Sequence, residues 1–216
     1  MSAWEEHLAR AAERYADGEA RLPDEPDARQ KQLTRMGNAA GAAGLSLLML
    51  GRGDEAAVWF ARAAERYRES WPDAPHGSWG RPVGAIKSRI LAGDWEGAAE
   101  DARWALEAGA AESGSPIGRY AAALACLVLE DWRGARIHAD YTRTHDGFPG
   151  DVGDALAFIA VEDPIAYEES VEDVLESFET RTEYLEDIPV ADTVVVLQAL
   201  ADRRGIAAEL ESPLLP

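Results

Sequence analysis

Cysteine, lysine and long apolar runs are scarce in this sequence. The one cysteine, Cys126, cannot form an intramolecular disulfide, and its apolar context, AAALACLVLE, predicts a buried thiol rather than a nucleophile. The longest apolar run, residues 39–50, has twelve residues, too few to span a membrane. Residues 1–15 show neither the basic segment nor the apolar core of a secretory signal. These absences predict a soluble, cytoplasmic protein without membrane contact.

Acidic residues outnumber basic ones. The 216-residue chain carries 40 Asp and Glu against 21 Lys and Arg, a formal net charge of −19, and Lys31 and Lys87 are the only lysines. This composition resembles cytoplasmic proteins of salt-in halophiles, haloarchaea in particular; the alternative is an ordinary acidic protein from a high-GC genome. A hydrophobic content of 47% excludes wholesale disorder.

Apolar residues recur with helical spacing along most of the chain, and Pro and Gly clusters separate the periodic stretches. The segment VVVLQAL, residues 194–200, has strand-like composition, but no other segment alternates with period two to pair with it. The sequence therefore predicts an all-α protein of about ten helices. The predicted helices cover residues 2–17, 28–50, 54–70, two within 79–109 joined at Gly93–Asp94, 116–130, 131–144, 151–161, 164–184, and a last one opened by Pro189 and stopped by Gly205.

Three segments share a spacing of small or aromatic residues at i, i+4 and i+7. That spacing forms one stripe along a helix and lets a neighbouring helix approach closely. In two segments, Trp95 and Trp132 stand three residues before the stripe. The stripes are Ala98, Ala102, Ala105; Ala135, Ala139, Thr142; and Ala56, Phe60, Ala63.

These stripes resemble the second helices of tetratricopeptide repeats. Ile86 and Gly53 depart from that family's pattern, and the offsets of 42 and 37 residues between stripes exceed the family's usual 34. The resemblance implies antiparallel helical hairpins stacked as a compact tetratricopeptide-like α-solenoid. The resemblance covers about residues 28–145. The whole sequence predicts one helical-repeat domain over 1–216, with an N-terminal helix and linker in 1–27, three hairpins in 28–145, and C-terminal helices and a tail in 146–216.

Tetratricopeptide proteins bind peptides on a concave surface built by their first helices. The family's groove positions fall on Asn38, Lys87 and Tyr120 of this sequence. The same transfer places many apolar residues in the groove, which implies that the C-terminal helices partly fill it. Those residues are Leu45, Leu48, Met49, Ile90, Leu91, Leu124, Leu127 and Val128.

Charge is segregated along the chain. Residues 28–52, 74–93 and 113–129 contain no Asp or Glu but eight Lys and Arg, among them Arg81 and Arg119. One interpretation is a locally basic groove for an acidic peptide, a carboxylate terminus or a phosphate. The alternative is that these helices are sandwiched and lose acids to burial. Eight scattered charges on so acidic a chain argue against nucleic-acid binding.

The chain shows no motif of a catalytic or metal site. His138, Asp140 and His145 offer ligand types, but neither HExxH nor CxxC completes a site, so these histidines are expected to be solvated. Five acids on one predicted helix read as a solvated face: Glu168, Glu169, Glu172, Asp173 and Glu176.

The sequence thus predicts a non-catalytic protein without cofactor or metal that binds a peptide or another protein. The predicted partner contacts are Asn38, Arg81, Lys87, Arg119 and Tyr120. An alternative function rests on the C-terminal stretch, which resembles all-helical immunity proteins of polymorphic toxin systems. The residues that carry this second resemblance are Asp192, Leu197, Leu200, Ala201, Arg204, Gly205 and 214–216.

Overall fold

The structure, a computed structural model, describes residues 2–216. These residues form ten α-helices and no β-strand. The all-α prediction with about ten helices is confirmed, and residues 194–200 are helical. The helices are α1 (Ala3–Ala20), α2 (Pro26–Met49), α3 (Gly53–Ser70), α4 (Gly80–Leu91), α5 (Trp95–Glu107), α6 (Pro116–Val128), α7 (Trp132–Arg143), α8 (Gly150–Val161), α9 (Pro164–Glu179) and α10 (Asp192–Asp202).

The chain divides into two compact units. The first unit comprises Met1–Asp94, Thr182–Val190 and Pro216, and the second comprises Trp95–Arg181 and Ala191–Leu215. The prediction of one continuous domain over 1–216 stays a prediction.

Consecutive helices pack on each other in the first unit, α1 on α2, α2 on α3 and α3 on α4. Glycines on α2 allow close approach of the neighbouring helices. A Cβ atom at Gly44 would lie 2.6 Å from the ring of Phe60 on α3, closer than packed atoms approach. Helix packing therefore explains Gly44, whereas Gly41 has no heavy atom within 4 Å of such a Cβ.

A second contact covers α2 in the first unit. Ile188 and Val190 are 3% and 2% exposed and share a core cluster with Ala42 and Ala43. Part of the predicted groove surface on α2 is thus covered by the Thr182–Val190 segment, which contains a short 3-10 helix, Leu185–Asp187, packed on α2. This segment lies between α9 and α10, and the prediction that the C-terminal helices partly fill the groove stays a prediction.

The second unit contains α5 to α10, in which neighbouring helices from α5 to α9 pack in sequence and α10 lies on α8 and α9. The predicted small-residue stripes are at these contacts: Ala98, Ala102, Ala105, Ala135, Ala139 and Thr142 are all 0% exposed. Cys126 is buried, as predicted, at 3% exposure. Its burial raises the pKa of the thiol to about 11.

Several predicted helix ends are wrong by a few residues. α1 continues past Asp17–Gly18 because Gly18 packs against α2, where a Cβ would lie 2.8 Å from Cγ of Met36. α9 ends at Glu179 rather than at Tyr184. α3 begins at Gly53, one residue before the predicted start at Asp54, and its N-cap is Arg52. Among the helices of residues 2–216, none combines the length and the hydropathy that a membrane-spanning helix requires.

Candidate functional site

The candidate site in the first unit begins with Tyr67, a buried tyrosine of α3. It ends the heptapeptide ARAAERY on α3, and its ring lies between a glycine of α2 and a glycine of α4. A Cβ at Gly37 would lie 2.9 Å from Cε1 of the ring, and one at Gly84 would lie 2.6 Å from Cε2. The backbones of α2 and α4 therefore lie directly against the ring, with no side chain between them and it.

The hydroxyl group of Tyr67 fixes Asn38, the first predicted partner contact. It donates a hydrogen bond to Oδ1 of Asn38 at 2.8 Å, and Asn38 is half-buried. One acceptor of the amide is thus used inside the unit. The heptapeptide repeat at residues 9–15 and 61–67 was the only sequence signal for this tyrosine.

Arg81, in the first turn of α4, continues the polar cluster. Its Nε donates to Oγ of Ser70 at 3.0 Å, and its Nη2 donates to Oε1 of Gln30. Ser70 is 0% exposed and Gln30 is 1% exposed. Two buried polar groups from two other helices therefore hold the guanidinium in one orientation.

The nearest carboxylate in this hydrogen-bond network belongs to Asp27, and Gln30 lies between it and Arg81. Nε2 of Gln30 donates to Oδ1 of Asp27 at 3.1 Å, while Lys31 pairs with Oδ2 of the same carboxylate at 2.7 Å. Arg81 itself has no carboxylate within 4.0 Å in the described part of the chain. Burial, with no opposing charge, lowers its pKa.

Three of the five N–H donors of Arg81 are left after these two bonds. Nη1 has no hydrogen-bond partner among residues 2–216, yet it is not one of the buried unpaired atoms there. Part of Nη1 is therefore accessible to solvent. A half-buried cation with an accessible edge and no counter-charge is unusual in a chain with about twice as many acids as bases.

Lys87 and Arg89 complete the acid-free stretch on α4. Both are half-buried, and Arg89 pairs with Asp94 at 2.9 Å, just beyond the stretch. Lys87 also has interactions within the protein. The predicted basic surface on α4 is thus neutralised at Arg89, while Arg81 keeps an accessible charge.

The other two predicted contacts lie in the second unit, on α6. Tyr120 is 7% exposed and its ring lies 5.1 Å from that of Phe148. Nε of Arg119 donates to the carbonyl of Ser113 at 2.7 Å, and its guanidinium lies 5.0 Å from the centre of the Tyr141 ring. Both residues are used in holding the second unit together; their role as partner contacts stays a prediction.

The two histidines of the metal hypothesis have different surroundings. His138 is 9% exposed, so its predicted solvation is wrong; it packs 3.2 Å from Nη1 of Arg119, and burial and that cation lower its pKa. His145 is exposed and stacks on Tyr141. In the described chain no three His, Cys, Asp or Glu side chains are grouped to hold a metal ion.

Two arginines near the C-terminus stack on the two tryptophans that precede the small-residue stripes of the second unit. Arg203 lies 4.4 Å from the ring centre of Trp95, and Arg204 lies 4.0 Å from that of Trp132. Sequence reasoning missed both contacts, because each joins residues that are about 70 or more positions apart. These tryptophans are therefore partly covered by the chain itself.

A carboxylate pairs with each of these arginines. Glu130 binds Arg203 at 2.7 Å, and Glu162 binds Arg204 at 2.9 Å. Both glutamates have left-handed backbones, with φ of 61° and 58°, which costs a residue with a Cβ about 1–2 kcal/mol. The surrounding packing holds them there.

Comparison with protein-family models, curated proteins and solved structures finds no match to this chain. Function must therefore be argued from the geometry of the chain itself.

Proposed function

We propose that the chain is a non-catalytic interaction protein, an adaptor or scaffold, that binds a partner peptide or protein through its helical surface. The observation that carries the proposal is Arg81: a half-buried guanidinium, oriented by Ser70 and Gln30, whose accessible edge has no acid beside it. An acidic group on a partner supplies the missing charge. Catalysis has no comparable support, because the one hydroxyl bonded to Arg81, that of Ser70, is fully buried and donates its proton to the carbonyl of Tyr67.

We further propose that the hairpins are tetratricopeptide-like and that the protein works in the cytoplasm of a salt-in halophile. Support for the first point is the burial of the second-helix stripes, including Ala56, Phe60 and Ala63 at 0%, 1% and 0% exposure. Support for the second is composition alone, 40 acidic residues with two lysines. Arg81 lies on α4, a first helix of a hairpin in this interpretation.

Affinity purification from the native host at native salt tests the function. Wild-type protein is expected to retain a partner, and Arg81→Glu is expected to weaken retention by about thirtyfold, roughly 2 kcal/mol, the loss typical of a central charged contact. Arg103→Glu is the matched control, since Arg103 is an exposed arginine of α5 and receives the same charge change. If the negative charge of Arg81→Glu unfolds the first unit, the neutral variant Arg81→Gln replaces it and is also expected to weaken retention.

Two outcomes contradict different parts of the proposal. If wild-type protein retains no specific partner, the interaction function is wrong. If a partner is retained equally by wild type, Arg81→Glu and Arg103→Glu, the protein binds through another surface.

A second candidate is an immunity-type protein that neutralises a toxin, and one surface favours it. On α9 five acids are exposed, and none of them makes an ion pair within residues 2–216: Glu168, Glu169, Glu172, Asp173 and Glu176. Such a surface suits a basic toxin. Co-expression with the product of a neighbouring gene is expected to rescue growth if this candidate is correct; an isolated gene without protective effect removes it.

A further inference from the structure

The connector between α5 and α6, residues 109–115, is held in place by two side chains of other elements. Arg119 of α6 donates from Nε to the carbonyl of Ser113 at 2.7 Å and from Nη1 to the carbonyl of Ala111. Tyr141 of α7 donates its hydroxyl proton to the carbonyl of Gly114 at 2.9 Å. Because the guanidinium also stacks over the Tyr141 ring, the two anchors support each other.

His138 of α7 takes part in the same anchor. Its Nδ1 lies 3.2 Å from Nη1 of Arg119. A guanidinium can only donate hydrogen bonds, so this contact requires an unprotonated Nδ1 and hence a neutral imidazole ring. Arg119 therefore donates hydrogen bonds both to the connector and to the His138 ring, and Nδ1 of that ring can accept one only while the ring is neutral.

We propose that Arg119 and His138 form a pH-sensitive contact that holds the 109–115 connector at neutral pH and releases it when His138 is protonated. Protonation removes the acceptor at Nδ1 and places a second cation within hydrogen-bond distance of the guanidinium. Arg119 then moves away from the imidazolium, and its bonds to the Ala111 and Ser113 carbonyls weaken. This inference does not depend on the function proposed for Arg81.

The charges around His138 oppose each other. Burial and Arg119 lower the pKa of His138, while Glu112 in the connector and Asp131 before α7 raise it by attraction. The net effect of these groups lowers the pKa below the ordinary value of 6.5. The folded state therefore prefers the neutral ring, so the contact is complete above pH 6.5 and is lost as the pH falls through the lower folded value.

Hydrogen exchange of the connector amides at pH 7 and pH 5, corrected for intrinsic rates, tests the inference. In the wild type the exchange of residues 109–115 is expected to increase on the order of tenfold at pH 5, as for the loss of one hydrogen bond to a charged group. His138→Gln offers a non-titrating acceptor and is expected to remove the increase. His76→Gln, at an exposed histidine of the 71–79 loop, is the matched control and is expected to behave as wild type.

The result that overturns the inference is an equal pH response in wild type and His138→Gln, or no response in wild type. A second measurement needs no variant. In an NMR titration of the wild type, the His138 ring signal and the Ser113 and Gly114 amides are expected to share one midpoint below pH 6.5. Different midpoints for the ring and the amides would also contradict the proposal.

Discussion

Glu162, in a left-handed conformation at the end of α8, forms an ion pair of 2.9 Å with Arg204 beyond the end of α10. The arginine side chain is 16% exposed and the glutamate side chain is 57% exposed. Glu162, which ends α8 with a strained backbone, thus also holds Arg204 just beyond the end of α10. Glu186 repeats the combination in the first unit, with φ of 58° and a 3.1 Å pair to Arg14.

Substitutions at Glu162 are expected to separate backbone strain from the ion pair. Glu162→Ala removes the pair and keeps a Cβ at positive φ, so we expect a loss of about 0.5–1 kcal/mol in the free energy of unfolding. Glu162→Gly removes the pair and the strain, and we expect it to be about 1 kcal/mol more stable than the alanine variant. Urea unfolding followed by circular dichroism measures both. Equal stability of the two variants would show that the backbone is not strained.

The glycines around Tyr67 are expected to be intolerant of a methyl group. The ring cannot easily move aside, because α2 lies against its Cδ1–Cε1 side, α4 lies against its Cδ2–Cε2 side and Asn38 accepts the proton of its hydroxyl. Gly37→Ala and Gly84→Ala are therefore expected to lower the free energy of unfolding by about 2 kcal/mol. Gly41→Ala, on the same helix with no atom near its Cβ, is the matched control and is expected to gain up to about 1 kcal/mol from helix propensity. A Gly37→Ala variant as stable as Gly41→Ala would be inconsistent with the close packing of Tyr67.

The thiol of Cys126 is expected to be unreactive in the folded protein. Burial, with a smaller contribution from Asp131, raises its pKa from 9.0 to about 11, so very little thiolate exists at pH 8. Labelling with a disulfide reagent at pH 8 is expected to be slow in buffer and fast in denaturing urea. Because the pKa is raised on folding, this group also favours the folded state below pH 9 and loses that contribution as the pH approaches 11. Fast labelling of folded protein would show that the thiol is accessible.

Potassium chloride is expected to raise the melting temperature. With a net charge of −19, acidic residues repel each other, and raising the salt from about 0.1 M to about 1 M shortens the Debye length from about 10 Å to about 3 Å. Thermal unfolding in a KCl series measures the effect, with sucrose as the uncharged control. A melting temperature that falls with KCl would mean that ion pairs such as Arg204–Glu162 outweigh the repulsion.

Local patterns in the sequence were sufficient for the helices and their buried stripes. Ala98, Ala102 and Ala105 were assigned to one helix face from their spacing, and all three are fully buried. Helix ends are less predictable: Asp17–Gly18 predicts the end of a helix, but Gly18 lies inside α1 because it packs against Met36 of α2. The candidate site is predictable only in part: the absence of acids in residues 74–93 points to Arg81, whereas no local pattern points to its partners Ser70 and Gln30 or to Tyr67.

The sequence by itself determined the all-α class, the number of helices and the burial of Cys126, since these depend on spacing and composition over a few turns of chain. Tertiary structure decided which charges are compensated. It paired Arg89 with Asp94, placed His138 against Arg119 and left the accessible edge of Arg81 without an acid. The physical reason is that a charge is compensated by what lies within a few ångströms in space, and most of those neighbours come from other helices.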